Sequence, residues 1–334
     1  MIKTILNRLK RSYFIVNKLY LWIIFLLLLG INGTATFLGS IIVFLILFFT
    51  RRVPLEPKEN FSYVTYVYKK TKTQHLKLDI WYPNEKADDY PVVFFAHGGG
   101  WVSGFRNQPN NVSWSKYLAS KGFAVVSIDY RYGINNEMED ILGDYSDALE
   151  YIKTNYKKLK LDSDHIFLMG LSAGGHLALL YAAYYTCNIN NSNISAEKMR
   201  GIKGVVAFYS PSNLRDIFKK DNKSLFARFA TMTTLKGMPN DIGDVYEYYS
   251  PINWVNEKMV PVFLAHGKKD EIVPFNSSVN LAKRLKIKGI KYNFFVHKKG
   301  NHTFEFVLKD FQTVRILEHT VYFLKGLLKD DSRF

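Results

Sequence analysis

Residues 165–185 place one serine between two patterns that are typical of different secondary structures. The run His165–Met169 is short and apolar, which predicts a buried strand, and His176–Tyr185 has the Ala and Leu content of a packed helix. Between them, residues 170–174 read Gly-Leu-Ser-Ala-Gly, a G-x-S-x-G pattern centred on Ser172. Because glycines allow the two arms of a tight turn to approach each other, we predict a sharp strand-to-helix elbow with the Ser172 hydroxyl at its tip.

The predicted position of Ser172 suits negative charge. The first backbone N–H groups of a helix have no intrahelical acceptor, and the helix dipole is positive at that end. The pattern is nevertheless short, and glycine and serine are common in loops. Three further stretches of the chain are therefore needed to distinguish a catalytic serine from a structural one.

The first of these stretches is a glycine triplet that follows a predicted strand. His97-Gly-Gly-Gly-Trp101 comes directly after the apolar run Pro91–Ala96. Ligands bind open α/β sheets at the carboxyl ends of their strands, which is where this triplet would lie. We predict that the backbone N–H groups of Gly99 and Gly100, together with that of Ala173, form an oxyanion hole.

The other two stretches carry an acid and a base. Asp270 lies in His266–Pro274 after one predicted strand, and His302 lies in Gly300–Phe304 after the next. The 32 positions between Asp270 and His302 fit one helix-plus-strand crossover, so both side chains should reach the same edge of the sheet as Ser172. In the order Ser, Asp, His, we predict Ser172 as nucleophile, His302 as its general base and Asp270 as the acid that orients the imidazole.

Other histidines compete for the role of the base. His297 is the main rival of His302 because it lies near the end of the same predicted strand. His176 follows the elbow inside a helix, where a packed side chain is expected, and His97 and His266 are expected to shape their loops by local hydrogen bonds. Glu271 is adjacent to Asp270 but should point elsewhere on the turn. No metal-ligand spacing and no nucleotide-binding glycine loop is present in the sequence, so no cofactor and no metal is expected.

The soluble part of the chain, from residue 61 onward, predicts an α/β fold. Two alternating runs, 63–68 and 76–81, indicate antiparallel strands, and later strands alternate with helices. This alternation predicts a mostly parallel sheet with helices on both faces. Helices are expected at 111–121, 138–152, 173–186, 277–287 and 305–328, while residues 211–250 look irregular and aromatic and are expected to form a small cap.

The N-terminal region has a different composition. No charged residue occurs from Leu19 to Thr50, a run of 32 positions, and as one helix it would be about 48 Å long, against a hydrocarbon core of about 30 Å. Turn-forming residues in its middle favour a hairpin of two membrane helices, about 13–30 and 36–50, within an anchor that comprises residues 1–50. One long tilted helix and an uncleaved signal anchor are the alternatives, and a pair of soluble core helices is a further one. Residues 51–60 read as a polar linker to a catalytic domain at 61–334.

The net charge supports a membrane location. The chain has 334 residues and a formal net charge of +16, of which residues 1–58 hold +7, from eight basic residues and one acid. No basic helix or nucleic-acid motif is present, so an anionic membrane surface explains the charge better than nucleic acid does. We expect an integral membrane protein of the cell membrane. A hairpin would leave the catalytic domain on the cytoplasmic side, whereas a single span would place it outside.

Together the motifs resemble the α/β-hydrolase superfamily, in particular the hormone-sensitive-lipase-like and feruloyl-esterase-like carboxylesterases. The matching stretches extend over about Leu76 to Leu328 and are His97–Trp101, Ser127–Arg131, Gly170–Gly175, His266–Pro274 and Gly300–Phe304. Tyr132-Gly133 departs from the L-A-P that commonly follows the D-Y-R segment, which leaves the local wall of the acyl pocket open.

The resemblance implies a cofactor-independent serine carboxylesterase that acts on short-to-medium acyl or acetyl esters through an acyl-enzyme. An amide hydrolase of the same fold, such as a formamidase or a peptidase, is the alternative, and a non-catalytic membrane-tethered binding domain is a third interpretation. The aromatic residues of 211–250 suit either ordinary cap packing or an apolar lid over a lipid-like ester. The sequence gives no indication of the oligomeric state.

Overall fold

A computed structural model of the chain describes residues 39, 42, 57, 59–188, 193–308 and 310–331. Apart from Gly39 and Ile42, the predicted membrane helices at 13–30 and 36–50 lie outside the described residues, as does most of the linker at 51–60. Among the helices that are described, none combines the length and the apolar character that a membrane span requires.

Eight strands form one sheet in the order β1-β2-β4-β3-β5-β6-β7-β8. The pairs β1–β2 and β2–β4 are antiparallel and all later pairs are parallel, as the alternating and the continuous apolar runs predict. The strands are β1 (Tyr63–Lys70), β2 (His75–Trp81), β3 (Tyr90–Ala96), β4 (Ala124–Ile128), β5 (Leu161–Leu171), β6 (Ile202–Phe208), β7 (Val262–Gly267) and β8 (Tyr292–His297).

Nine α-helices are assigned among the described residues. They are α1 (Pro109–Ala119), α2 (Met138–Thr154), α3 (Ala173–Cys187), α4 (Asn193–Met199), α5 (Leu225–Leu235), α6 (Gly243–Tyr248), α7 (Phe275–Ile287), α8 (Phe304–Val307) and α9 (Phe311–Asp331). Two short 3₁₀ helices, Leu214–Phe218 and Pro251–Asn253, flank α5 and α6.

Alternate residues of the central strands enter two separate apolar layers. In β3, Val92 and Phe94 face a core that contains side chains of α2, α3 and α7, whereas Val93 and Phe95 face a core formed with α1 and α9. Because side chains of a strand alternate between its faces, a continuous apolar run requires cover on both sides. The prediction of helices on both faces of a mostly parallel sheet is therefore confirmed.

Two predicted elements differ from the observed ones. The expectation that residues 211–250 are irregular is wrong, because they contain α5 and α6. The side chain of Ser224 accepts a hydrogen bond from the Ala227 N–H and caps α5. The helix expected at 305–328 is two helices, since Leu308 is extended and Asp310 Oδ1 then accepts the N–H of Thr313 and starts α9.

Candidate active site

Ser172 lies at the sharp turn between β5 and α3. Its backbone has φ 52° and ψ −115°, a conformation that non-glycine residues seldom adopt. The turn leaves no room beside it, because a Cβ built on Gly174 would lie 2.1 Å from the carbonyl oxygen of Ala96 at the end of β3. The glycine after the serine is thus required by close approach of the neighbouring strand, and the serine is held in a strained, projecting position.

The structure brings Ser172, Asp270 and His302 together. His302 Nε2 lies 3.1 Å from Ser172 Oγ, and His302 Nδ1 lies 2.8 Å from Asp270 Oδ2. A carboxylate can only accept a hydrogen bond, so Nδ1 carries the ring proton and Nε2 is free to accept the serine proton. Three segments separated by as many as 130 positions thereby form one chain of hydrogen bonds.

Asp270 is fully buried yet favours the ionised form. Burial on its own would raise the pKa of this carboxyl, but the charge of His302 and hydrogen bonds from His266 and His302 hold the pKa well below its usual range. Its other oxygen, Oδ1, accepts the N–H groups of Ile272 and Val273 at 2.8 and 2.9 Å. A negative charge is therefore fixed beside His302, where it stabilises an imidazolium.

His266 contacts the same oxygen of Asp270 as His302 does. Its Nε2 lies 3.2 Å both from Asp270 Oδ2 and from the carbonyl oxygen of Val273, and its Nδ1 lies 2.7 Å from Ser278 Oγ. Because both neighbours of Nε2 are acceptors, Nε2 carries the proton and Nδ1 accepts the Ser278 hydroxyl proton. The local hydrogen bonds that the sequence analysis expected for His266 are present, and one of them also orients the acid.

The loops that carry Asp270 and His302 are joined by Asn301. Its side-chain oxygen accepts the N–H groups of Glu271 and His302 at 3.0 and 2.7 Å, and its side-chain nitrogen donates to Glu271 Oε2 at 3.1 Å. A backbone bond from the Lys269 N–H to the carbonyl of Gly300 adds a further link. Glu271 thus binds Asn301 and does not approach Ser172. This agrees with the prediction that Glu271 points away from the site.

The glycine triplet forms a tight loop next to Ser172. Gly99 and Gly100 have φ angles of 124° and 62°, which glycine adopts without strain. Neither N–H is hydrogen-bonded to another described residue. Ala173 is the first residue of α3, where the N–H has no intrahelical acceptor. These three donors stay our prediction for the oxyanion hole.

His97 stabilises this loop and does not take part in proton transfer. It is buried, its Nδ1 lies 2.7 Å from the carbonyl oxygen of Gly98, and its ring stacks on Tyr130 at 4.1 Å between centroids. Burial lowers its pKa to about 4, so the ring is neutral at physiological pH and Nδ1 donates to Gly98. The hydroxyl of Tyr130 in turn donates to the carbonyl of His97 at 2.8 Å.

The two remaining competitors point away from Ser172. His297 Nε2 lies 3.0 Å from Asp310 Oδ1, so this rival of His302 interacts with the start of α9. His176 is packed inside α3, as expected, and its Nε2 lies 2.7 Å from the carbonyl oxygen of Tyr249 in the cap region. Burial lowers the pKa of His176 to about 4.

Two residues behind His302 were missed by the sequence analysis. The Tyr209 ring packs against the His302 ring at 4.6 Å between centroids, and the Tyr209 hydroxyl donates to Glu305 Oε1 at 2.6 Å. Glu305 is fully buried, and its Oε1 also accepts the Trp114 Nε1–H at 3.4 Å. Burial raises the Glu305 pKa to about 7, although the hydrogen bonds from Tyr209 and Trp114 oppose this shift. A glutamate three positions after His302 was the only available signal, and without the fold it does not indicate burial.

The buried carboxyl makes the stability of the protein depend on pH. The folded-state pKa of Glu305 lies above the unfolded value of 4.5, so its destabilising effect is absent at low pH and grows until the pH passes about 7. We expect the variant Glu305→Gln to be stabilised relative to the wild type as the pH rises. The difference in free energy of unfolding between the two proteins should increase by about 2 kcal/mol from about pH 5 to about pH 8. Denaturant unfolding of both proteins at the two pH values measures this difference, and exposed Glu318→Gln in α9 is the control that should show none. A pH-independent difference for Glu305→Gln would mean that the carboxyl is ionised throughout.

The cap region closes over the glycine loop. A Cβ built on Gly100 would lie 2.8 Å from Ala230 Cβ and 3.1 Å from Phe226 Cζ, so α5 lies directly above the predicted oxyanion donors. The segment that departs from the family pattern also contacts α5, because a Cβ on Gly133 would lie 2.2 Å from Thr234 Oγ1. Helix α5 therefore contacts both the glycine loop and the loop at 132–134.

The groups of this site that can take part in a reaction are the Ser172 hydroxyl, the His302 imidazole and the backbone amides next to them. Within residues 59–188, 193–308 and 310–331, no group of three or more His, Cys, Asp or Glu side chains is placed to hold a metal ion. What the arrangement can do is remove a proton from Ser172 and stabilise an oxyanion formed next to it.

Comparisons with known proteins agree with the fold. The BD-FAE family model matches residues 78–285. A probable isoprenylcysteine alpha-carbonyl methylesterase, ICME, of Oryza sativa subsp. japonica is 28% identical over 244 residues, which cover 68% of this chain and 55% of the relative. Esterase LipC of Mycobacterium tuberculosis is 27% identical over 217 residues, covering 63% of this chain and 52% of LipC. The chain thus spans about half the length of these curated relatives.

A solved structure extends the comparison over more of the chain. The truncated form of a carbohydrate esterase from gut microbiota superposes with a TM-score of 0.66 at 21% identity, covering 81% of this chain and 98% of that one. At this identity the likeness concerns the fold, which is that of the α/β-hydrolases.

Proposed function

Because the chain belongs to the BD-FAE family of α/β-hydrolases, we propose that it is a serine carboxylesterase that hydrolyses esters through an acyl-enzyme intermediate. Ser172 is the nucleophile, His302 the general base and Asp270 the residue that orients His302. The observation that carries the proposal is the pair of hydrogen bonds that His302 makes, at 3.1 Å to Ser172 and at 2.8 Å to Asp270. Both curated relatives compared above are named as esterases, which supports the same reaction class.

The reaction begins when His302 Nε2 takes the proton of the Ser172 hydroxyl as Oγ attacks the ester carbonyl carbon. The carbonyl oxygen gains the negative charge and receives hydrogen bonds from the N–H groups of Gly99, Gly100 and Ala173. His302 then protonates the leaving alcohol, and the C–O bond to that alcohol breaks. Water, deprotonated by His302, attacks the acyl-enzyme. The bond between the acyl carbon and Ser172 Oγ breaks, His302 returns the proton to Oγ, and the acid is released.

The proposed substrates are short-to-medium acyl or acetyl esters. Helix α5 lies close over Gly100, through Ala230 and Phe226, which supports a small acyl group. Residues 61–334 are the catalytic domain, in which 211–250 form the cap.

Residues 1–50 are proposed to anchor the protein in the cell membrane. The uncharged run of 32 residues supports this, and a two-helix hairpin would leave the catalytic domain on the cytoplasmic side. The residues concerned lie outside the described part of the chain.

An activity-based probe tests the proposed chemistry. A fluorophosphonate should label the full-length protein at Ser172, and ester hydrolysis should exceed hydrolysis of matched anilides in a series of increasing acyl length. Absence of labelling would leave a binding domain, and faster cleavage of the anilides would instead indicate an amide hydrolase.

A further inference from the structure

An exposed apolar rim borders the mouth of the site. Among the described residues, seventeen large apolar side chains are exposed, and six of them lie on two contacting segments. These six, which we name the apolar rim, are Tyr132, Ile134, Leu225, Phe226, Phe229 and Met232. The concentration is notable because scattered exposed apolar residues are normal, whereas contiguous ones mark an interaction surface.

Four of the rim residues belong to α5 and form one stripe. Leu225 is 80% exposed and Phe229 is 53% exposed, while Ala227 and Ala230 of the same helix are buried against the protein. Leu225 and Phe226 stand at positions i and i+1, Phe229 at i+4 and Met232 at i+7, which places them along one side of the helix. α5 therefore has a buried side and a second apolar side that faces outward.

Hydrogen bonds join α5 to the other rim segment. Lys236, directly after α5, donates from Nζ to the carbonyl of Gly133 at 2.6 Å and to that of Ile134 at 3.4 Å. The Tyr132 hydroxyl donates to the carbonyl of Gly104 in the loop that follows Gly99 and Gly100. The rim is thus continuous with the predicted oxyanion loop.

The α5 side of the rim carries mainly positive charge. Residues 219–238 contain one acid, Asp221, and five basic residues, while α5 itself contains no acid. The basic residues are Lys219, Lys220, Lys223, Arg228 and Lys236. A helix with exposed Leu and Phe residues and basic neighbours has the composition of a helix that lies in a membrane interface.

The proposed anchor at residues 1–50 would hold the domain within reach of a bilayer. The uncharged run ends at Thr50, and the described domain begins at Glu59. Ten linker residues, 51–60, span at most about 35 Å when fully extended, so an anchored domain cannot move far from the surface. The tether joins β1 at the edge of the sheet opposite the rim, because Tyr63 pairs with Trp81 and Trp81 pairs with Val125 at the start of β4. The tether therefore limits the distance to lipid, and the apolar, basic face determines which side of the domain contacts it.

We propose that the apolar rim docks the catalytic domain on an anionic phospholipid bilayer, with the Phe229 side of α5 inserted among the acyl chains. The cations of residues 219–238 bind the anionic headgroups, and the apolar stripe stabilises docking because its side chains are removed from water. Docking turns the mouth above Ser172 toward the bilayer, so that esters enter from the lipid. This last consequence rests on the proposed esterase function, whereas docking itself does not.

A fluorescent probe on α5 tests docking without any need for catalysis. Cys187, the single cysteine, is replaced by serine, and an NBD dye is attached through Phe229→Cys in the full-length protein reconstituted in nanodiscs. We expect the dye to shift to shorter wavelength and to be quenched by doxyl-labelled lipid when phosphatidylglycerol is present, and much less in phosphatidylcholine alone. The control is Ile287→Cys. The Ile287 side chain is 75% exposed at the carboxyl end of α7, on the edge of the sheet opposite the rim.

Activity on two kinds of ester provides the second measurement. Phe229→Glu should lower hydrolysis of a bilayer-embedded ester about tenfold, from the lost apolar burial, and leave hydrolysis of soluble p-nitrophenyl acetate unchanged. Ile287→Glu should change neither rate. The proposal is overturned if the dye at 229 is as solvent-exposed as the dye at 287, as expected of a face that binds a protein or a second copy. Equal quenching in the two lipids would also overturn it, because anionic headgroups would then have no role. If the dye is quenched and no ester is cleaved, docking stands and the proposed function fails.

Discussion

Replacing Ser172 by alanine is expected to lower kcat/KM for p-nitrophenyl acetate by about 10⁴-fold or more. The change removes the only described oxygen that lies within hydrogen-bond distance of His302 Nε2. No acyl-enzyme can then form, and only the acceleration that substrate binding and the oxyanion donors provide by themselves remains. Initial rates with purified full-length protein measure the effect.

The matched control for this experiment is Ser120→Ala. The Ser120 hydroxyl donates to the carbonyl of Tyr117 at the end of α1, away from the site, so its loss should leave the rate unchanged. Both variants should unfold at a temperature close to that of the wild type, since each loses a single hydroxyl. Comparable rates for Ser172→Ala and the wild type would rule out the assignment of the nucleophile.

Replacing Asp270 by asparagine should reduce kcat by about 10⁴-fold. An amide at this position can donate to His302 Nδ1, which places the ring proton on Nε2 and prevents Nε2 from accepting the Ser172 proton. The fixed negative charge that stabilises the imidazolium is lost as well. Steady-state measurement of kcat over a range of pH tests the expected loss.

Glu271→Gln is the control for the acid, since it changes the neighbouring carboxylate into the same kind of amide. Glu271 is exposed and accepts from Asn301, and a glutamine oxygen can accept that hydrogen bond too. We expect its kcat to stay within a few-fold of the wild-type value. A kcat of Asp270→Asn in the same range would mean that another group orients His302.

The reactive residues were accessible from the sequence because each lies directly after a recognisable strand. Parallel strands bring their carboxyl ends to one edge, so Ser172, Asp270 and His302 had to lie near each other once the strands were assigned. The fold class followed from the same runs. The finding that His302 and not His297 faces Ser172 depended on a turn at Gly300, which the sequence indicated only through its Gly-Asn pair.

Other features depend on packing that no local pattern contains. The helix α5 was missed because its exposed side, with Leu225 and Phe229, is as apolar as its buried side, so the sequence lacks the polar face of an amphipathic helix. Glu305 looked like an ordinary polar residue, and only the fold places it against Tyr209 and Trp114. The division of the last helix at Leu308 depends on a cap by Asp310, one residue among several able to cap.

The link that Asn301 makes between Glu271 and His302 has a mechanical consequence. Since the Asn301 side chain holds both loops, His302 and Asp270 should move together as a single rigid body when the surrounding structure fluctuates. Ser172 belongs to a different body, the junction of β5 with α3. A motion that inactivates the proposed triad would therefore separate the Ser172 hydroxyl from the His302 imidazole and leave the hydrogen bond between His302 and Asp270 intact.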